Sequence, residues 1–539
     1  MKRELSFLLA VSLASSLTGC AAGTAADSTA TVLIGSAAAE TTSYNAADAL
    51  TLTFTDSGIT GSGSGVEISG TALTISEPGT YLLTGSCADG SVKVKKGTSG
   101  VTLILSDLSL TSSTTAPITC GKSSVVTIVA ADGTTNTLTD AAQNNDTDYP
   151  DNTDAENAVI KGKDGAQVVL CGSGSLTLNA NGKNGIKSGT TDSETAQDAS
   201  LTIRELTLTI NAPVNDAINA EQLLNVESGT LTLDAADDAL HCDLVMNIGA
   251  NGTDGPTLTI TNAYEGIEAA VLNLASGSID ITCEDDCLNA GNSALTNYDF
   301  EINISGGTIR AYTTAGDGFD SNGTMTISGG DIEVWTANAA DNQPLDADGS
   351  ITVTGGTVLA AGGSGGMGMS LAAAQPCVIF GGTMEMPGEN VQNGQPGTGG
   401  QPNGKEPPSG EERSDGEDRP AQGSFGGASL LTQDSSFTIA DSGGAVLYTG
   451  EAAYNASFVF FSSPDLSEGE SYTLTSGETQ AESAAQTGTV SIGMGSMGGP
   501  GGQRPDGTPP SGGEGGQKPD GESTPNNGGA VDRAHDPDT

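Results

Sequence analysis

Pairs of acidic side chains recur beside a single apolar residue in five short segments of this 539-residue chain. The segments read DDALHCD, YEGIEAA, DDCLNAGN, GDGFDSNG and QPLDADG, and they begin at residues 237, 264, 285, 316 and 343. Carboxylate and amide oxygens are the side-chain ligands that Ca²⁺ prefers, usually six to eight oxygens at a time. The motifs could therefore bind cations, provided that the fold brings them together.

The motifs belong to a longer repeat. Each contains an apolar residue that serves as an anchor, and three earlier segments fit the same pattern. Successive anchors are 21 to 32 residues apart, and a strand-like run with alternating apolar positions follows nearly every one. The anchors are Ile160, Ile186, Ile218, Leu240, Ile267, Leu288, Phe319 and Leu345.

The repeat predicts an all-β solenoid. Apolar residues recur every two positions rather than every three to four, and Gly-containing turns separate two or three short strands per repeat. This pattern is typical of a parallel β-helix, with Leu, Ile and Val inside and Thr, Asn and Asp outside. An antiparallel β-sandwich is the alternative, but it would not explain why one motif recurs at the same place in every repeat.

In a solenoid, equivalent residues of successive coils stack about 4.8 Å apart. Two positions in each motif then matter. The leading position lies two residues before the anchor, and the trailing position lies directly after it. The leading positions hold Ala158, Asn184, Asp216, Asp238, Glu265, Asp286, Asp317 and Gln343. The trailing positions hold Lys161, Lys187, Asn219, His241, Glu268, Asn289, Asp320 and Asp346.

Stacked carboxylates require a compensating charge. Two of them ~5 Å apart repel by roughly 3 kcal/mol at an effective dielectric constant of about 20. We therefore expect Ca²⁺ between the coils, while a solvated acidic ladder without metal stays open as the alternative. His241 is expected to stack or donate a hydrogen bond rather than to bind metal. The predicted calcium ligands are Asp238, Glu265, Glu268, Asp286, Asn289, Asp317, Asp320 and Asp346.

The N-terminus predicts export. Lys2 and Arg3 precede an apolar run from Leu5 to Leu17, and LTGC follows, which resembles a bacterial lipoprotein signal with Cys20 as the lipidated residue. We expect a protein anchored by lipid at the outer face of the cytoplasmic membrane or the cell surface. No later apolar run reaches the ~20 residues of a membrane span.

Composition adds further limits. The chain has 18 Lys and Arg against 67 Asp and Glu, a net charge of −49, which argues against nucleic acid as a partner. Seven cysteines follow Cys20; a bridge between Cys283 and Cys287 is conceivable, but small buried core residues are the favoured interpretation. We expect a monomer.

Boundaries follow from these patterns and from Gly/Pro-rich segments that cannot bury enough apolar surface to fold. The expected organisation is a signal peptide at 1–20, a tether at 21–45, N-terminal β-helix coils and a cap at 46–157, the β-helix with its acidic ladder at 158–386, a disordered insert at 387–428, a C-terminal β element at 429–480 and a disordered tail at 481–539.

The ordered series NAVIKGKDG, GSGSLTLNANGKNGIKSG, DDAL, YEGIEA, DDCLNA, GDGFDSNG and PLDADGSITVTGGTV resembles a family of secreted bacterial carbohydrate-binding proteins, and the likeness runs over roughly residues 70–480. The resemblance implies a right-handed parallel β-helix similar to pectate lyases, calcium binding, and a polysaccharide ligand such as pectic acid or cellulose.

Binding is predicted ahead of catalysis. A polysaccharide lyase acting on polyuronates needs a base, usually Arg or Lys. Arg310 is the only such residue between Glu205 and Gly404, and it is expected to be an ordinary outward side chain. A surface adhesin with stabilising calcium is a second alternative. Aromatic residues that could stack on sugars, although packing is the expected role of each, are Trp335, Tyr312, Tyr264 and Tyr298.

Overall fold

The computed structural model describes residues 46–190, 199–295, 297–337, 342–363, 369–381 and 429–492. The predicted signal peptide, tether and insert, and the tail beyond residue 492, lie outside these ranges. The described part contains one turn of 3-10 helix, Ala46–Asp48, and otherwise strands and loops. No helix in this part is long and apolar enough to span a membrane.

The strands are short, most of them three to six residues. The first ten are β1 (Leu50–Thr55), β2 (Gly58–Thr60), β3 (Val66–Ser69), β4 (Ala72–Ile75), β5 (Gly79–Cys87), β6 (Ser91–Val94), β7 (Ser99–Thr111), β8 (Ile118–Cys120), β9 (Val125–Ala130) and β10 (Thr135–Thr139). The next eleven are β11 (Ala158–Gly162), β12 (Gln167–Cys171), β13 (Ser175–Asn179), β14 (Asn184–Lys187), β15 (Ser200–Ile203), β16 (Thr207–Ala212), β17 (Ile218–Ala220), β18 (Leu223–Val226), β19 (Thr230–Ala235), β20 (Leu240–Ile248) and β21 (Thr257–Asn262).

The remaining strands carry the acidic motifs and the C-terminal element. They are β22 (Ile267–Leu274), β23 (Ser278–Cys283), β24 (Leu288–Ala290), β25 (Glu301–Ile304), β26 (Thr308–Thr313), β27 (Phe319–Ser321), β28 (Thr324–Ile327), β29 (Asp331–Thr336), β30 (Ile351–Val353), β31 (Thr357–Gly362), β32 (Ser370–Gly381), β33 (Ser436–Asp441), β34 (Val446–Glu451), β35 (Phe458–Ser462), β36 (Ser471–Ser476), β37 (Thr479–Ala484) and β38 (Gln486–Ser491).

Thirty-four of these strands form one sheet, in which most pair in parallel with the strand two or three places later in the chain. For example, β13 pairs with β16, β16 with β19, and β19 with β21. The inward residues Leu176, Leu208, Leu231 and Leu258 stack through these pairings and are essentially inaccessible to water. Burying each such side chain contributes about 1.5–3 kcal/mol.

The structure confirms the all-β, mainly parallel class and the inward placement of the alternating apolar residues. The antiparallel β-sandwich alternative does not describe the large sheet, whose antiparallel pairs occur near its two ends in the chain. The winding of the strands as a right-handed β-helix stays a prediction.

The C-terminal β element is a four-stranded antiparallel sheet in the order β34-β33-β36-β37. It packs on the large sheet through a separate apolar cluster, where Trp335 meets Phe437 edge to face with ring centroids 6.1 Å apart. The predicted boundary at residue 481 differs from the structure, because β37 runs to Ala484 and β38 pairs with β32. Val490 and Ile492 bury apolar side chains there, which stabilises a segment that composition predicted to be disordered.

Candidate functional site

The eight anchors lie in one continuous column of paired residues. Parallel pairing joins each anchor to the next, from Ile160 opposite Ile186 to Leu288 opposite Phe319, and an isolated bridge joins Phe319 to Leu345. All eight are buried. The register that the anchor intervals predict is therefore confirmed, and it brings the acidic motifs side by side.

The leading positions are joined through the backbone. The amide of Gly266 donates to the carbonyl of Asp286 at 2.8 Å, and the amide of Gly318 donates to Gln343 at 2.8 Å. A Cβ on Gly318 would lie 2.4 Å from the carbonyl oxygen of Pro344, which explains the glycine inside the motif GDGFD. Close backbone approach holds the leading side chains on one edge of the stack.

A cluster of three carboxylate side chains lies at the C-terminal end of the leading and trailing positions. Asp317, Asp320 and Asp346 each present an oxygen within 4.8 Å of the other two. Asp317 Oδ1 also accepts the amide of Gln343 at 2.5 Å, and Asp286 Oδ1 accepts the amide of Asp317 at 2.6 Å. We call Asp317, Asp320 and Asp346, with the neighbouring Gln343, the aspartate cluster.

Two buried side-chain oxygens near this cluster lack hydrogen bonds within the described part of the chain. They are Oε1 of Gln343, in a leading position, and Oδ1 of Asn289, in a trailing position. A buried acceptor without a partner costs about 1–3 kcal/mol. Neutral amide oxygens beside carboxylates form a donor set that suits a hard cation, so the residues present fit calcium.

Burial raises the pKa of several carboxyl groups in the acidic ladder. It is the main cause that raises the pKa of Glu265 to about 8, of Asp286 to about 7 and of Asp320 to about 6. The charge of Asp346 adds to the effect on Asp320, while the hydrogen bond from Asn289 opposes the effect on Glu265. Without a cation, the ladder therefore holds protons at a pH where exposed carboxyls have lost them.

A second group surrounds His241. Its Nδ1 lies 2.9 Å from Oδ2 of Asp238 and 2.6 Å from Oε2 of Glu268, and its Nε2 lies 3.0 Å from Oδ1 of Asp243. Burial opposes charge on the ring, but hydrogen bonds to Asp238, Asp243 and Glu268 raise the His241 pKa above its ordinary value. We call Asp238, His241 and Glu268 the histidine cluster.

The N-terminal end of the trailing positions is basic. Lys161 lies opposite Lys187, which binds Glu221 at 3.2 Å and Asn219 at 3.1 Å. Burial, followed by the charge of Lys187, lowers the pKa of Lys161 to about 8. Charge along the trailing positions thus changes from basic on β11 and β14 to acidic on β22 and β27, where Glu268 and Asp320 lie.

All eight predicted calcium ligands lie in the leading and trailing positions, but they do not form one site. Their contacts separate them into two clusters and an intermediate group. The histidine cluster takes Asp238 and Glu268, the aspartate cluster takes Asp317, Asp320 and Asp346, and Glu265, Asp286 and Asn289 lie between. Asp243 and Gln343 were not among the predicted ligands. Gln343 does occupy a leading position, and Asp243 closes the motif DDALHCD, so the sequence contained a signal for each.

The other predicted residues have different surroundings. Trp335 is fully buried and donates to Glu333 at 2.7 Å, so it offers no sugar platform. Arg310 bonds Asp331 at 3.0 Å and Glu333 at 3.2 Å. Tyr264 and Tyr298 are 44% and 36% exposed, and Tyr312 packs against the C-terminal cluster.

The two cysteines that lie close enough in the sequence to form a bridge are both in the core. Cys283 and Cys287 are free and buried, with their Sγ atoms 2.9 Å apart.

Comparison with known proteins gives one family and two individual similarities. The family described as carbohydrate-binding domain-containing protein matches residues 69–366, more than half of the chain. A carbohydrate-binding domain-containing protein of Acetivibrio thermocellus is 33% identical over 141 residues, which cover 26% of this chain and 47% of the relative. The chain thus spans about half the length of this curated relative.

A solved structure, that of the polysaccharide lyase-like protein from C. thermocellum as a gadolinium derivative, is similar over 57% of this chain and 93% of the other. The identity is 23% and the TM-score is 0.31.

Proposed function

This chain belongs to the family of carbohydrate-binding domain-containing proteins, and on that premise we propose that it binds an extended acidic polysaccharide through calcium held at the aspartate cluster. The pair of unpartnered oxygens, Asn289 Oδ1 and Gln343 Oε1, carries this proposal. Both are amide acceptors beside stacked carboxylates, and a hydrogen-bond donor from the protein would have been expected for each.

The ligands that we assign to calcium are those of the aspartate cluster, together with Asp286 and Asn289 at the preceding strand and Glu265 at the margin. Successive paired strands lie about 4.8 Å apart, so these residues would hold more than one ion. Bound calcium would supply positive charge, which offsets the repulsion between these carboxylates and attracts the carboxylates of a uronate polymer. An acidic protein with a net charge of −49 would otherwise repel an acidic glycan.

The same proposal includes the winding of the strands, the cellular location and the oligomeric state. The parallel strands wind as a right-handed β-helix, and its long side accommodates an extended chain such as pectic acid or a cellulose-like glycan. The protein is exported, is anchored to the membrane through lipid on Cys20, and acts as a monomer at the cell surface. Binding rather than cleavage is favoured because Arg310, the sole Lys or Arg side chain near the acidic end in the described ranges, is already bound to Asp331 and Glu333.

Sedimentation with insoluble polygalacturonate and with cellulose, in calcium and in a chelator, tests the proposal. We expect the protein to bind polygalacturonate in calcium and to be released by the chelator. Asp320→Asn together with Asp346→Asn should abolish binding, whereas Asp280→Asn, an exposed carboxylate outside the leading and trailing positions, should not.

Other results would exclude the proposal. Binding that persists in the chelator would remove calcium bridging. Unsaturated uronides detected by ultraviolet absorbance would establish a polysaccharide lyase instead. Failure to bind any glycan, combined with a large calcium-dependent rise in melting temperature, would indicate a structural adhesin.

A further inference from the structure

The histidine cluster differs in kind from the aspartate cluster. A single ring nitrogen, His241 Nδ1, faces the carboxylates of Asp238 and Glu268 at once, at 2.9 and 2.6 Å. One N–H can point along only one of these directions. A bare Nδ1 would direct its lone pair at two negatively charged oxygens, so the arrangement calls for positive charge at this point, which either a proton on Nδ1 or a metal ion between the three atoms supplies.

The other ring nitrogen has a partner of its own. His241 Nε2 lies 3.0 Å from Oδ1 of Asp243. A histidine that binds a metal usually donates its second N–H to a carboxylate, which fixes the tautomer and leaves the first nitrogen free to coordinate. Asp243 provides this contact.

The backbone positions Asp243 through a local irregularity. The register between β20 and β22 shifts between Cys242 and Val245, so β20 contains one residue more than β22 over this stretch. Such bulges redirect a side chain and are frequent beside functional sites. Here the bulge follows His241 by two residues and places the Asp243 carboxylate against Nε2.

Size and ligand type decide which ion suits the group. Calcium takes oxygen ligands at 2.3–2.6 Å, whereas Zn²⁺ and its neighbours accept imidazole nitrogen together with carboxylate oxygen. Bonds of about 2.0–2.2 Å separate adjacent ligand atoms by about 3–3.5 Å. The 2.6 Å distance between His241 Nδ1 and Glu268 Oε2 would have to increase by about 0.4–0.9 Å to reach that spacing.

The cluster remains accessible to solvent. The side chains of His241 and Glu268 are 20% and 19% exposed, and that of Asp238 is 12% exposed. An ion can enter from this side, and water can complete its coordination. Three protein ligands with one open position are typical of zinc sites that are not purely structural.

From this geometry we propose that Asp238, His241 and Glu268 bind a divalent transition metal ion of the Zn²⁺ class, at a site separate from the calcium ligands of the aspartate cluster. The inference does not depend on glycan binding. It assigns Asp238 and Glu268, two predicted calcium ligands, to a different ion.

Cobalt(II), a coloured substitute for zinc, provides the test. The full chain is freed of metal by chelation, returned to buffer with excess Ca²⁺, and titrated with Co²⁺ at pH 7. We expect one equivalent to bind, with visible ligand-field absorption that added Zn²⁺ removes and further Ca²⁺ leaves unchanged. The expected effect of Asp243→Asn is a loss of affinity of about 10- to 100-fold.

The chain offers a matched control, because it has two histidines, His241 and His535. His241→Gln should abolish the Co²⁺ absorption, whereas His535→Gln should leave it intact. Glu268→Gln provides a second variant in case His241→Gln does not fold, and circular dichroism verifies the fold of each.

Three results would overturn the inference. The first is a wild-type chain that binds no Co²⁺, because a protonated His241 then satisfies the two carboxylates alone. The second is Co²⁺ absorption that persists unchanged in folded His241→Gln. The third is intense thiolate-to-cobalt absorption in the near ultraviolet, which would assign the ion to the cysteines.

Discussion

Asn289 donates a 2.9 Å hydrogen bond from Nδ2 to Oε2 of Glu265, and its own Oδ1 is left buried with no hydrogen-bond partner in the described residues. Asn289 lies in register between Glu268 and Asp320. The bond therefore fixes the orientation of the Asn289 amide. Its nitrogen is occupied by Glu265, and its oxygen is available to a cation.

Replacing this amide tests the role of its oxygen. Asn289→Leu should lower the free energy of unfolding by about 1–3 kcal/mol in calcium, because a ligand is lost. In a chelator the loss should be smaller, because the wild-type protein then contains a buried acceptor without a partner. Urea unfolding in both buffers measures the difference, and an equal loss in the two would show that Asn289 contributes only its bond to Glu265.

Asp320→Asn should change the sign of its effect with calcium. Burial, followed by the charge of Asp346, raises the pKa of Asp320. In a chelator the substitution therefore removes a buried charge and its repulsion, and it raises the melting temperature. In calcium it removes a ligand and lowers the melting temperature. Asp280→Asn should shift neither value appreciably. An Asp320→Asn protein that is destabilised equally in both buffers would contradict metal binding at this residue.

The metal-free protein should lose stability as pH rises from about 4.5 to about 8. Burial raises the pKa of Glu265 to about 8, above its ordinary value of 4.5. The native state then binds more protons than the unfolded state in this interval, so unfolding becomes easier as pH increases, by up to about 1.4 kcal/mol for each pH unit.

Urea titrations between pH 4.5 and 8 in a chelator measure this slope. Glu265→Gln should flatten it, and calcium should reduce it in the wild type by stabilising the ionised carboxylates. A profile in the chelator that is already flat would show that Glu265 ionises as an exposed carboxyl does.

At the opposite end of the ladder, Lys161→Met should raise stability at pH 7. Burial and the charge of Lys187 lower the pKa of Lys161 to about 8, from 10.5. The unfolded state therefore binds more protons between pH 8 and 10.5, and wild-type stability increases with pH over that interval.

The variant lacks this titration, so the increase should disappear from its thermal unfolding curves. Lys93→Met is the matched control, because Lys93 occupies the same outward position on β6 but is exposed. If the two variants change stability and its pH dependence equally, burial does not destabilise the charged form of Lys161.

The sequence by itself determined the all-β class, the inward and outward faces, and the order in which the acidic motifs stack. It could do so because parallel pairing joins residues at equal offsets from the anchors, so the intervals between Ile160 and Leu345 already define neighbours. The strand at Gln486–Ser491 escaped prediction because it pairs with residues more than a hundred positions earlier in the chain, on β32.

Only the tertiary structure decided what each stacked side chain contacts. The bulge in β20 aims Asp243 at His241, and the rotamer of Asn289 directs its nitrogen at Glu265. Offsets along the chain specify the height of a residue in the stack, whereas rotamers and bulges depend on the packing of the adjacent strands. That is the physical reason why the ladder was predictable and its division into an aspartate cluster and a histidine cluster was not.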